Sequence, residues 1–212
     1  SHRVDIEREA DLIEEIARFF GYDRIPSVLP PLEVLEPVPT LEPKLRRLAD
    51  RLFHFGFDEV INPSFADPER DARLGSGRTA VAIRTPLSAR AAILRTSLLG
   101  SLLDNAAWNL NRGLEAVPIF ETGNVYRQTA DGGAAEDLTL GLLSTGPVGG
   151  AHWKGRPAEA DVFHLKGAVE SVLESLRYEA AGMTAHPHPA CDPETALAVQ
   201  VKGESIGWLG RL

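Results

Sequence analysis

Apolar side chains recur at helical spacing in the stretch Glu9 to Phe20, where Leu12, Ile13, Ile16, Phe19 and Phe20 share one side and Asp11, Glu14, Glu15 and Arg18 the other. Gly21 stops that helix and Pro26 excludes its resumption. A second helix is predicted from Lys44 to Phe55, with Leu45, Leu48, Leu52 and Phe55 on its apolar face and Arg46, Arg47, Asp50 and Arg51 in water. Gly56 ends it, and Phe57, Val60 and Ile61 then form a short strand that must stop, bulge or lie at an edge at Pro63. Further on, Leu98, Leu99, Leu102, Leu103 and Ala106 give a helix ending near Gly113, and Val169, Val172, Leu173 and Leu176 give another from about Leu165.

Strand patterns lie between these helices. Val4 and Ile6 read as the last strand of something that begins earlier. Ala80 to Arg84 reads as a strand, Val117 to Arg127 as strand, turn and strand around Gly123, Leu138 to Leu143 as an apolar strand, and Val162-Phe163 as strand-like. Ala196 to Lys202, a turn at Gly203-Glu204 and Ile206 to Gly210 form a hairpin. From Pro26 to Pro43 there are six prolines, so neither helix nor ladder propagates and the segment is an extended spacer. The domain boundary is placed there.

Composition adds exclusions. At 212 residues, 43% apolar and 25% charged, the chain holds one substantial core and a small appendage. The net charge of −8 opposes a broad nucleic-acid face on the chain as a whole. Cys191 is the sole cysteine, which excludes an intramolecular disulfide and a multi-cysteine zinc site and fits a reducing cytoplasm. No apolar run approaches the roughly 20 residues that span a bilayer.

Candidate chemistry is concentrated at the acidic helix. Asp11, Glu14 and Glu15 share a helical face and Asp5 approaches through the turn, so four carboxylates converge that a hard cation such as Mg²⁺ would neutralise. The alternative is a solvated acidic face paired with Arg18. His186, His188 and Cys191 lie close in sequence, but the prolines splay them and no fourth ligand is evident. No glycine-rich phosphate loop is present; Asp131-Gly132-Gly133 is a loose turn.

The segment DIEREADLIEEIARFFGYDRIP closely resembles the end of the B5 domain in the β subunit of bacterial phenylalanine–tRNA ligases. The helix-Gly-Phe-strand-Pro order from Leu45 to Phe65 resembles motif 1 of class II aminoacyl-tRNA synthetases, which builds an interface between two synthetase cores. Thr85-Pro86-Leu87-Ser88, Leu94 to Leu103, FETGNVYR and the Trp153, Asp161 to Phe163, Leu165 to Glu170 pattern match the β-subunit family in order, with Gly100 where that family often has proline. The ACDPET stretch after His188 departs from it.

The resemblance implies an α+β fold: a class II-like antiparallel sheet flanked by helices, preceded by a short α/β remnant of the B5 domain. It divides the chain into the end of B5 at 1–26, a proline-rich linker at 27–43, and a class II-like core at 44–212 cut before motif 3. It also implies a Mg²⁺ site shared with the α subunit, to which Asp5, Asp11, Glu14 and Glu15 contribute. Arg127 stands where an active motif 2 has its substrate-binding arginine; otherwise it is a strand-end surface arginine. The implied role is a non-catalytic core supporting the α subunit in an α2β2 enzyme that joins phenylalanine to tRNA(Phe) with ATP. Two rivals are a core that itself forms adenylates through Arg127, and a non-enzymatic interaction module.

Overall fold

The computed structural model describes residues 3–29, 40–74, 77–149, 153, 155, 157–178 and 181–212. It divides into two compact units, Ser1–Pro39 and Thr40–Leu212. In the first, α1 spans Glu9–Phe20 as the periodicity predicts, and Gly21 follows it at φ 97°. Val4 and Ile6 do not form a strand. The linker predicted at 27–43 falls largely outside the described residues; its last proline, Pro43, lies in the first turn of the next helix, where a missing N–H costs nothing.

The second unit is built on β5 (Ile119–Gln128), which pairs antiparallel with β6 (Ala134–Leu143) and parallel with the two-residue β1 (Asp58–Glu59). Helix α2 (Glu42–His54) feeds β1, so the strand after Gly56 is Asp58–Glu59 and the ladder has ended before Ile61. A small antiparallel sheet joins β2 (Phe65–Ala66), β4 (Ile93–Leu94) and β3 (Val81–Ala82); between β2 and β3 lies the short α3 (Pro68–Arg73). Helices α4 (Leu99–Leu110) and α5 (Val162–Ser175) complete the core, and a third sheet orders β7 (Ala181–Ala185), β8 (Leu197–Val201) and β9 (Glu204–Leu209).

The β5–β6 pair is buried on both faces, by different helices. On one face Leu98, Leu102 and Ala106 pack against Ile119, Val125 and Leu143. On the other, Leu48 and Leu52 of α2 and Ala168 and Val172 of α5 close over Phe57 and Phe120. The far side of α5 meets the third sheet through Leu173, Val199, Val201 and Leu209. Each fully buried Leu or Phe contributes roughly 1.5–3 kcal/mol relative to exposure, so these three apolar contacts between layers carry the stability of the unit.

Gly123 does not make a turn: β5 runs through it for ten residues, and the reversal falls at 129–133. A Cβ on Gly123 would stand 2.5 Å from Nη2 of Arg95, so the glycine is there for close approach. Gly141 has the same reason on β6, where a Cβ would stand 2.8 Å from Leu102 Cδ1. Val162-Phe163 opens α5 and is not a strand, because Asp161 caps that helix by accepting from the His164 amide at 2.8 Å. The hairpin turns at Lys202-Gly203, both at positive φ, one residue earlier than the pattern predicts.

Candidate functional site

At the start of α1 the four sequence-predicted carboxylates take different partners. Arg3 donates to Asp5 at 2.7 Å and to Glu15 at 3.0 Å, so one guanidinium bridges the two. Arg18 reaches Glu15 from the other side at 2.5 Å. Hydrogen bonds from Arg3 hold the Asp5 carboxyl down to about 2, and bonds from Arg3 and then Arg18 lower Glu15. Asp11, third in the helix, turns Oδ2 back to accept the Glu7 and Arg8 amides at 2.9 and 2.8 Å, satisfying donors the helix start leaves open. Glu14 is exposed.

The structure thus brings Asp5 and Glu15 together around a cation, and leaves Asp11 on the helix start. Among the described residues no three His, Cys, Asp or Glu side chains converge as a metal-holding group. The donor chemistry nonetheless fits Mg²⁺: every candidate ligand is a carboxylate oxygen, and the Arg3 guanidinium occupies the place between two of them as a stand-in cation.

On the β5–β6 face, Arg127 lies near the strand end with Nε 3.3 Å from Asp137 Oδ2, and Arg78 Nη1 reaches the same oxygen at 3.2 Å. The turn that follows is held by Asp131, which accepts from the Thr129 hydroxyl and the Gly133 amide and is lowered in pKa by both. Further into the unit lies a buried ion pair that the sequence pattern did not reveal. Arg95 Nη1 donates to Glu121 Oε1 at 2.7 Å, with both side chains almost fully buried, and Arg95 Nε donates to the Asn124 carbonyl at 3.0 Å.

Asn62 completes that network, giving its amide and side-chain N–H groups to Glu121 while accepting from Asn105 of α4 at 2.7 Å. A second buried acid, Asp71, accepts from the Thr96 amide and hydroxyl. The one sequence signal for the ion pair was Gly123, two residues from Glu121 and therefore on the same strand face.

The His186, His188 and Cys191 cluster is not brought together as a site. The His188 ring stacks on Trp208 with centroids 3.8 Å apart, and its Nδ1 accepts from the Ala190 amide. Burial and then the nearby His186 lower its pKa. Cys191 is buried, and burial raises its thiol pKa.

For α2, Leu48 and Leu52 lie in the unit's own core instead of facing a partner, because β5 and α5 stand on that side of the helix. The exposed face of the same stretch carries Arg47, Asp50, Arg51 and His54, which with Ser175 line a shallow groove of about 290 Å³. Phe53 is half exposed and Ile61 is 91% exposed.

Comparison with known proteins gives two family matches along the chain. Residues 1–22 match the tRNA synthetase B5 domain, and residues 25–212 match the phenylalanyl tRNA synthetase beta chain CLM domain. The chain is 34% identical over 224 residues to the phenylalanine–tRNA ligase beta subunit of Ralstonia nicotianae, and 32% identical over 214 residues to that of Neisseria meningitidis serogroup B. All of this chain is covered in each, but it spans only 27% of either relative's length. Among solved structures, the pyrrolysyl tRNA synthetase PylSc of Desulfitobacterium hafniense has a similar fold, with TM-score 0.53 at 20% identity over 79% of this chain and 54% of that one. Among the described residues no helix is long and apolar enough to cross a membrane. With a class II-like α+β core built on β5 and β6, and family matches that run from residue 1 to residue 212, the chain belongs to the phenylalanyl-tRNA synthetase β-chain family.

Proposed function

We propose that this chain is the end of the B5 domain (1–26), a linker (27–43) and the non-catalytic class II-like core (44–212) of a phenylalanine–tRNA ligase β subunit, serving to assemble the α subunit. The whole enzyme, an α2β2 heterotetramer in the cytoplasm, would attach phenylalanine to tRNA(Phe) with ATP. The observation that carries this reading is the filled sheet face. Arg95 and Glu121 with Leu98 and Leu102 occupy the space above β5 and β6, and the motif 2-like Arg127 is committed to Asp137. A nucleotide and an amino acid would need that space open and that arginine available.

The same reading assigns Asp5, Asp11, Glu14 and Glu15 as this chain's share of a Mg²⁺ site completed by the α subunit. Bound there, the ion would neutralise carboxylates from both chains and so tie them together. Asp5 and Glu15 would exchange the Arg3 guanidinium for the metal; Asp11 would keep α1 started.

The test is co-purification with the cognate α subunit, beside phenylalanine-dependent ATP–pyrophosphate exchange by the chain alone. Stable co-purification and no exchange is the expected result. Robust exchange by the chain alone would mean that it is itself an adenylating core.

A further inference from the structure

We propose that the Asp131–Gly132 peptide is an isoaspartate-forming modification site, held shut by its own turn through the Thr129 hydroxyl. Neither residue takes part in the α-subunit or Mg²⁺ reading above, so the site is independent of both. Of the aspartates in the chain, Asp131 alone is followed by glycine, and no asparagine is. Glycine leaves the peptide nitrogen without a neighbouring side chain to hinder approach, and gives the backbone the freedom that closing a five-membered ring needs. The peptide lies at the tip of the β5–β6 hairpin, where residues 130–134 are exposed.

The reaction is an isomerisation. The Gly132 nitrogen attacks Cγ of Asp131 and a C–N bond forms; the nitrogen gives up its proton, the carboxyl gives up a hydroxyl, and one water leaves a succinimide. Water then adds at the Asp131 main-chain carbonyl and breaks its bond to the Gly132 nitrogen. The chain now runs through Cγ, the former main-chain carbon is a free carboxylate, and no other reactant is consumed.

The turn opposes each requirement of the first stage. The nitrogen must be free, but its N–H donates to the Thr129 carbonyl at 3.0 Å. Cγ must lie against that nitrogen, but Oδ1 is drawn across the turn, accepting from the Thr129 hydroxyl and from the Gly133 amide at 3.4 Å. The carboxyl must be protonated to release its hydroxyl as water, but the Thr129 bond first, and backbone amides after it, hold its pKa down and keep it ionised. Thr129 also closes the turn with its own amide, which donates to the Gly133 carbonyl at 2.9 Å. Isoaspartate would add a methylene to the backbone between these two residues and break that closure.

The test follows isomer formation at Asp131 in the 212-residue chain at neutral pH, by peptide mapping with electron-transfer fragmentation, which tells aspartyl from isoaspartyl peptides. In guanidinium chloride, where the turn is lost, the rate is expected to exceed that of the folded chain by roughly tenfold or more, the factor that losing one hydrogen bond to a charged group is worth. Thr129→Val and Thr129→Ala, which remove the hydroxyl, should accelerate the folded chain by a similar factor and leave the denatured rate unchanged. Thr129→Ser should restore the slow rate. Equal rates in the folded and denatured native chain overturn the proposal, as does the absence of isomer in the denatured chain. So does an unchanged rate in a natively folded Thr129→Val or Thr129→Ala, or an acceleration that persists in denaturant.

Discussion

Removing Glu121 tests the buried network more directly than any other substitution. In Glu121→Ala, Arg95 keeps the Asn124 carbonyl but loses its charged partner at 2.7 Å, and both Asn62 N–H groups lose their acceptor. Breaking a buried pair by deleting one member costs about 3–5 kcal/mol, because the remaining charge stays desolvated. Since a domain of ordinary stability has only about 5–15 kcal/mol to lose, the variant should sit near the edge of folding. Glu121→Gln retains shape and one acceptor but loses the charge, and should cost about 2 kcal/mol. The double variant Arg95→Met with Glu121→Leu leaves no buried charge and should be less damaging than either truncation alone. Urea denaturation followed by circular dichroism measures all three. A loss below about 1 kcal/mol for Glu121→Ala, or a double variant whose cost is the sum of the singles, would refute the reasoning.

Leu52→Ala should cost about 2–5 kcal/mol, since the leucine is fully buried where α2 meets α5 and Phe120; Leu52→Glu should unfold the core instead of only blocking α-subunit assembly, which circular dichroism beside a pull-down separates. His188 has a folded pKa below its ordinary 6.5 because burial and His186 disfavour the cation. The unfolded chain therefore binds more protons between the two values, and stability should fall as pH drops below about 6.5; thermal melts at pH 7.5 and 5.5 should show this, with the dependence reduced in His188→Phe. Because Arg3 and Arg18 already neutralise Asp5 and Glu15, the chain without an α subunit should bind Mg²⁺ weakly, and Arg3→Ala should strengthen that binding in a calorimetric titration; tight binding by the unaltered chain would show that no second subunit is needed.

Periodicity determined the helices. Apolar residues three and four apart placed α1 at Glu9–Phe20, whose apolar side is exposed in this structure, and the core faces of α2 and α4, because a helix with one apolar side repeats at that interval whatever it packs against. Ordered motifs likewise determined the family and the class II-like α+β fold. What the pattern does not encode is the partner across a contact. Leu48 and Leu52 read as an apolar face, but only the arrival of β5 and α5 made that face internal. Gly123 read as a turn, and only Arg95, 28 residues away, showed that the glycine makes room inside a continuous strand. Glu121 read as one more polar strand residue until Asn62, Arg95 and Asn105 closed around it. At the acidic helix the sequence named four carboxylates, and tertiary structure decided which two share Arg3 and which one holds the helix start. Local spacing fixes which side of an element is apolar or charged; whether that side meets the chain itself, an ion or another molecule depends on residues far along the chain, and only folding brings those into range.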